Sequence, residues 1–186
     1  MVDIGGGNGT LARLMGGHGI SFVVVDLAKH VAQAPRPGIR GDACQLPFRN
    51  GAFDGAAALW MLYHLADPVT AVREAHRVLR PGGLFAVTAP SRHNDPELAT
   101  VLPRWGEPLS FDAENGADLL GQVFDAVDIQ RWDTPVVCIP DRDGLVLYLR
   151  GRGLTEERAR FAADSLDTPM TITKRGMVSW ARKTSH

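Results

Sequence analysis

Within the first ten residues, Asp3-Ile4-Gly5-Gly6-Gly7-Asn8-Gly9-Thr10 separates a short apolar stub, Met1 to Ile4, from a stretch carrying Leu11, Leu14 and Met15 at helical spacing. Glycines at 5, 7 and 9 let the backbone turn tightly between a strand and a helix, and let a ligand approach the main chain. The helix start that follows offers unpaired N–H groups and a positive dipole end to an anion. A strand that feeds a helix through such a turn, in a chain that keeps alternating the two, belongs to the α/β architectures. Taken alone the turn needs no ligand, because a tight reversal would account for it.

The alternation continues. Ser21 to Val25 is an apolar, β-rich run ending at Asp26, and Leu27 to Ala34 predicts a short helix stopped by Pro35 and Pro37. Ile39 to Gly41 predicts a short strand, and Asp42 to Gly51 a loop around Pro47 and Asn50. Phe53 to Leu59 is small and apolar, as in a central parallel strand covered on both faces. Asp67-Pro68 opens the clearest helix: Asp67 can cap the free N–H groups, and Pro68 suits the first helical position. Val69, Val72, His76 and Leu79 share one face of it, and Arg73, Arg77 and Arg80 form a solvated face with Glu74. Arg80-Pro81-Gly82-Gly83 ends the helix before a strand from Leu84 to Ala89. Further on, Ala113 to Val123, Asp143 to Arg150 and Thr155 to Leu166 predict helices. Phe124 to Trp132 predicts a strand with Val127 and Ile129 inward. Met170 to Lys183 alternates as a half-exposed strand does, antiparallel and near a sheet edge. The whole predicts an α/β, doubly wound, mostly parallel sheet in one domain over residues 1–186.

Composition excludes several classes of function. Twenty basic and 21 acidic side chains leave a net charge of −1, so no bulk field would hold nucleic acid or an anionic membrane. Two cysteines, Cys44 and Cys138, support neither a disulfide framework nor a cysteine-rich zinc site. No apolar run is long enough to cross a bilayer, and the N-terminus lacks the pattern of a signal peptide, so a cytoplasmic protein is expected.

Two acids give the glycine turn a chemical partner. Asp26 ends the second strand, where a carboxylate can accept hydrogen bonds from ribose hydroxyls. Asp42 follows the third strand, in Gly-Asp-Ala-Cys-Gln-Leu-Pro-Phe, where it can meet the exocyclic amine of an adenine. The plainer readings are a helix cap for Asp26 and an Asx turn for Asp42. Together the three features fit a nucleoside lying across the carboxyl edge of an α/β sheet. A nicotinamide-type dehydrogenase would need G-x-G-x-x-G, and here the third glycine arrives one position early.

In order and spacing, the first 90 residues resemble the class I S-adenosylmethionine-dependent methyltransferases, in the branch of small-molecule and quinone-biosynthesis enzymes. Val2 to Thr10 is similar to that family's strand and glycine turn, Val23 to Asp26 to its acidic second-strand motif, and Gly41 to Phe48 to its G-D-A-x-x-L-P-F segment. Phe53-Asp54, Tyr63-His64-Leu65 and Glu74 to Thr88 resemble the fourth strand, its exit, and the helix, turn and fifth strand. The resemblance implies a Rossmann-like, seven-stranded sheet of order 3-2-1-4-5-7-6 with the last strand antiparallel, whose first 90 residues bind the cofactor. It implies S-adenosyl-L-methionine as cofactor and a small molecule as methyl acceptor. It also implies roles: Gly5, Gly7 and Gly9 along the methionine part, and Asp3 fixing the turn and placing the amino group. Asp26 would hold the ribose with Leu27 on the adenine, Asp42 and Ala43 would meet the adenine edge, and Ala58 and Leu59 would lie near the reactive methyl. His64 and His93, which follow the fourth and fifth strands, are the candidate catalytic bases. Trp60 and Trp105 are candidate walls of the acceptor site.

Two departures from the family matter. Ala57-Ala58-Leu59-Trp60 stands where the amino-methylating nucleic-acid branch has N-P-P-Y. The helices the family carries ahead of the first strand have no counterpart, which implies an open pocket, a cover supplied by a partner, or a shortened chain. A bare front edge would also favour a homo-oligomer. The alternative to an enzyme is a degenerate, cofactor-binding protein of the same fold that acts through a partner.

Overall fold

Fully buried β1 (Val2–Ile4) stands at the middle of the sheet. It pairs in parallel with β2 (Val23–Asp26) on one side and β4 (Phe53–Leu59) on the other, Val2 lying opposite Val23 and Ala56. β3 (Gly38–Arg40) extends the sheet beyond β2, and β5 (Leu79–Pro90) lies beside β4, both in parallel. With β6 (Ala126–Ile139) and β7 (Met170–Arg182) the order is β3-β2-β1-β4-β5-β7-β6, and the last strands run antiparallel. The computed structural model describes residues 1–184; Ser185 and His186, part of the expected 1–186 domain, lie outside the described residues.

The helices are α1 (Thr10–Met15), α2 (Pro68–Val78), α3 (Gly116–Gly121), α4 (Arg142–Gly151) and α5 (Glu156–Ala163). Asp67 caps α2 as its sequence predicts, accepting from the Val69 and Thr70 N–H groups. Among the described residues no helix is long and apolar enough to cross a membrane.

Several elements differ from expectation for identifiable reasons. Leu27 to Ala34 holds only a 3-10 turn, Lys29–Gln33, stopped short by Pro35 and Pro37 that follow it. Leu79 belongs to β5, not to the face of α2: it pairs with Phe53 and is fully buried. α3 is shorter than Ala113 to Val123, because the buried Asp112 carboxylate accepts from the Leu109, Glu114 and Asn115 N–H groups and holds a turn there. β6 runs on past Trp132 to Ile139, while its place at the sheet edge with β7 one strand in is the expected order.

The chain packs as two compact units. The first comprises Met1–Pro90, Pro108–Arg131 and residues 177–184. Its core gathers Val2, Ile4, Ala56 and Ala58 of the sheet with Val72 and Val78 of α2, Phe85, Phe111 and Leu120. The second comprises Ser91–Glu107 and Trp132–Gly176, around Leu98, Leu145, Leu149 and Ile172. Ser179, fully buried on β7, donates its hydroxyl to the Asp128 carbonyl at 3.0 Å. Ser179→Ala is therefore expected to cost about 1 kcal/mol. A thermal melt should show a midpoint about 2–4 °C lower.

Candidate functional site

Parallel strands β1 to β4 deliver their carboxyl-terminal loops to the same edge of the sheet, and those loops enclose a cleft of about 340 Å³. That volume lies within the roughly 300–1,000 Å³ of small-ligand sites. Gly5 and Gly7 line it after β1, Asp26 and Leu27 after β2, and Gly41, Asp42 and Ala43 after β3. Trp60, Met61, His64 and Leu65 line it after β4, and His30 from the 3-10 turn.

The glycine turn is stitched to β2. The Gly5 and Gly6 N–H groups both donate to the Val25 carbonyl, at 2.8 and 3.2 Å, and the Gly7 N–H donates to Asp26 Oδ2 at 2.8 Å. Gly5 has φ +66°, and a Cβ there would come within 2.7 Å of the Met61 side chain, so both backbone and space demand glycine. Gly9, expected along the ligand, is not among the lining residues. Its φ is +82°, and a Cβ would stand 2.6 Å from Pro35 Cδ, so its smallness serves packing of the turn on Pro35. The turn is braced from outside by Arg13, which donates to the Asn8 carbonyl and side-chain oxygen. Ala12 is the buried residue of α1, and Leu14 stands exposed.

The three acids sit in different electrostatic settings. Asp26 accepts the Ala28 N–H on Oδ1 and the Gly7 N–H on Oδ2, both at 2.8 Å. Each carboxylate oxygen can accept a second donor, so local capping and ligand binding are compatible in this one residue. Asp42 forms the Asx turn of the plainer reading, accepting the Cys44 N–H at 2.8 Å, and still lines the cleft. Asp3 is 2% exposed and does not line the cleft; a Cβ on Gly6 would collide with its Oδ2. That oxygen finds no hydrogen-bond partner among the described residues. Burial, and then the charge of Asp26, pushes the Asp3 carboxyl up to about 6.

Beyond β4 the cleft lining begins at Trp60. Ala58 is fully buried in the core, and Leu59 is still in the ladder opposite Thr88, so neither lines the cleft. The chain leaves the ladder at Trp60, whose φ is +58° and whose side chain is 46% exposed. Its N–H is shared between the Thr88 carbonyl and hydroxyl, at 3.2 and 3.1 Å, which holds this left-handed residue in place. His64 lines the cleft, exposed, with Tyr63 4.3 Å from it between ring centroids. His93 lies in the second unit, edge-on to Trp105, whose indole N–H donates to the Asn94 carbonyl. His76 is half-buried against Phe124, its pKa lowered by burial and by the Lys183 charge.

Two lining residues escaped the sequence reading. His30 is exposed, and nothing in its spacing signals that its ring comes within 3.4 Å of where a Gly7 Cβ would stand. Met61 could have been found by asking where a seven-residue β4 ends.

Residues 2–87 match the model of a methyltransferase domain. An O-methyltransferase of Pyrenophora dematioidea is 26% identical over 166 residues, covering 78% of this chain and 62% of that one. A demethylmenaquinone methyltransferase of Corynebacterium kroppenstedtii is 27% identical over 168 residues, covering 84% and 68%. This chain therefore spans less than two thirds of the first of these relatives. Among solved structures, the YcgJ protein of Bacillus subtilis superposes with a TM-score of 0.70 at 21% identity, covering 100% of this chain and 92% of that one. Sheet order and cleft position agree with the methyltransferase-domain match over residues 2–87, and in both the chain is similar to the class I S-adenosylmethionine-dependent methyltransferases.

Proposed function

We propose that this chain binds S-adenosyl-L-methionine in the cleft and transfers its methyl group to a small-molecule acceptor. The observation that carries the reading is the convergence of Gly5, Gly7, Asp26 and Asp42 from three strand ends on one cleft. The donor set suits the cofactor. Asp26 retains capacity for ribose hydroxyls, and Leu27 presents a 65% exposed apolar side chain for an adenine face. Asp42 and Ala43 stand for the adenine edge. Asp3 puts an unpartnered carboxyl behind the glycine turn, which favours a cationic ligand over a neutral one once it ionises.

When bound, the cofactor supplies a methyl group on a positively charged sulfur, so the chemistry is intrinsic to it. The protein's share is alignment for in-line displacement and exclusion of water. His64, in the cleft lining, is assigned the proton from an acceptor that is still protonated; an acceptor already ionised needs no base. The names of the two relatives support a small-molecule acceptor, and the net charge of −1 agrees with one.

Calorimetric titration tests the proposal. Saturable binding of S-adenosylmethionine and S-adenosylhomocysteine at one site per chain is expected, with dissociation constants from about 1 μM to 1 mM. A chain that melts cooperatively yet binds neither at millimolar ligand would refute it.

A further inference from the structure

We infer that Glu74 and Arg77 on α2 are positioning residues for base recognition, holding the segment from Gly41 to Gly51 in the shape that presents Asp42 and Ala43 to the cleft. The inference rests on the proposed function and goes beyond it to residues that do not line the cleft.

The segment has no helix and no ladder of its own; it contains one isolated bridge, Asp42 with Gln45. A loop of this kind takes one shape only if its backbone polar groups find fixed partners. Here α2 supplies them. Glu74 Oε2 accepts the Leu46 N–H at 2.7 Å, and Arg77 Nη2 donates to the Leu46 carbonyl at 3.0 Å. Both polar groups of one residue are thus held by the two members of an ion pair. Arg77 Nη1 also donates to the Phe48 carbonyl at 2.7 Å and to Asn50 Oδ1 at 3.0 Å, and the Arg77 carbonyl accepts the Gly51 N–H. The pair is bidentate, Nε to Oε1 at 2.6 Å and Nη2 to Oε2 at 2.8 Å.

The sequence reading placed these two on a solvated face. That holds for Arg73, exposed on α2, while Arg80 lies in β5 and pairs with Asp54, both side chains more than half exposed. It fails for Arg77 and Glu74, whose side chains are 31% and 18% exposed. Their hydrogen bond is the main cause holding the Glu74 carboxyl below the ordinary carboxylate range and the Arg77 guanidinium above its own.

The anchor at Leu46 reaches Asp42 without slack. The Gln45 N–H donates to the Asp42 carbonyl at 3.1 Å and the Cys44 N–H to Asp42 Oδ1 at 2.8 Å. Leu46 is buried at 3% exposure, and Phe48 packs edge-on against Phe53. These apolar contacts hold the segment near the core, while the ion pair sets the direction of its peptides. A lysine cannot replace Arg77, because a single ammonium does not make the planar fork that reaches Glu74, Leu46 and Phe48 together.

The test compares S-adenosylhomocysteine with S-inosylhomocysteine, in which an oxo group replaces the exocyclic amine. The wild-type chain is expected to prefer the adenine form by about tenfold through Asp42. Arg77→Lys is expected to weaken the adenine form by about tenfold and leave the inosine form nearly unchanged, so the preference falls close to one. Glu74→Gln, which keeps an acceptor for Leu46 but drops the charge, should move the ratio the same way, and it carries the comparison if Arg77→Lys does not fold. Folded variants that keep the wild-type ratio, or weaken both ligands equally, overturn the inference. A wild-type chain that binds both forms alike overturns it too and leaves the proposed function standing. Binding of neither form defeats both.

Discussion

Replacing Asp26 with alanine is expected to weaken S-adenosylmethionine binding by about 1–3 kcal/mol, a rise of about 5- to 150-fold in the dissociation constant. Two losses contribute. The ribose hydroxyls lose an ionised acceptor, and the Gly7 and Ala28 N–H groups lose the oxygens that hold the glycine turn against the end of β2. Asp26→Asn separates them. An amide keeps one acceptor oxygen but turns an NH2 group toward the second N–H, so it should fall between wild type and Asp26→Ala. Calorimetry gives the affinity, and a melt run beside it shows whether the turn has loosened without ligand. An Asp26→Ala chain that binds as tightly as wild type removes the ribose role.

The parts of the fold that the sequence shows plainly are those where local chemistry and tertiary context agree. Phe53 to Leu59 predicts β4 to the residue because, apart from the exposed Asp54, it is small and apolar, with Gly55 to Ala58 buried. Asp67-Pro68 predicts the start of α2 because cap and first-turn proline act within four residues. Leu79 shows the opposite case: it continues the apolar face of α2 in sequence, yet pairing with Phe53 draws it into β5. No local pattern reports a strand partner 26 residues away.

The cleft divides in the same way. Gly5, Asp26 and Asp42 are legible because each follows directly from the end of a strand, and parallel strands bring their ends together. Trp60 and Met61 line the cleft just past the last rung of β4, where Leu59 pairs with Thr88, and the sequence alone does not mark that rung. His30 and Arg77 act through space, across turns whose geometry the sequence does not encode locally. Arg77 makes the point best: the same i,i+3 spacing from Glu74 describes a solvated ion pair or a loop clamp, and only the path of residues 46–51 decides between them.

Asp3→Asn is expected to raise stability at neutral pH and leave it nearly unchanged near pH 4. The carboxyl titrates at about 6 in the folded chain, against an ordinary 3.8, because burial and the Asp26 charge both oppose ionisation. Between those two values the folded chain holds a proton that the unfolded chain has released. Wild-type stability therefore falls as pH rises from about 4 to about 6, and this contribution is level above that. Two pH units correspond to at most about 3 kcal/mol. An asparagine carries no charge at any of these pH values, so it escapes the loss. Its melting point should exceed that of wild type by up to about 6–12 °C at pH 7.5, with the difference vanishing near pH 4. Binding should move in the opposite direction. A cationic ligand is attracted by the ionised form, so wild-type affinity for S-adenosylmethionine should rise as pH passes 6, while that of Asp3→Asn stays lower and flatter. Melts and titrations at pH 5 and 7.5 for both chains check the two halves together. A stability difference that is the same at both pH values would show that Asp3 does not titrate in this window, and the unpartnered oxygen beneath the glycine turn would then have to be explained without a proton.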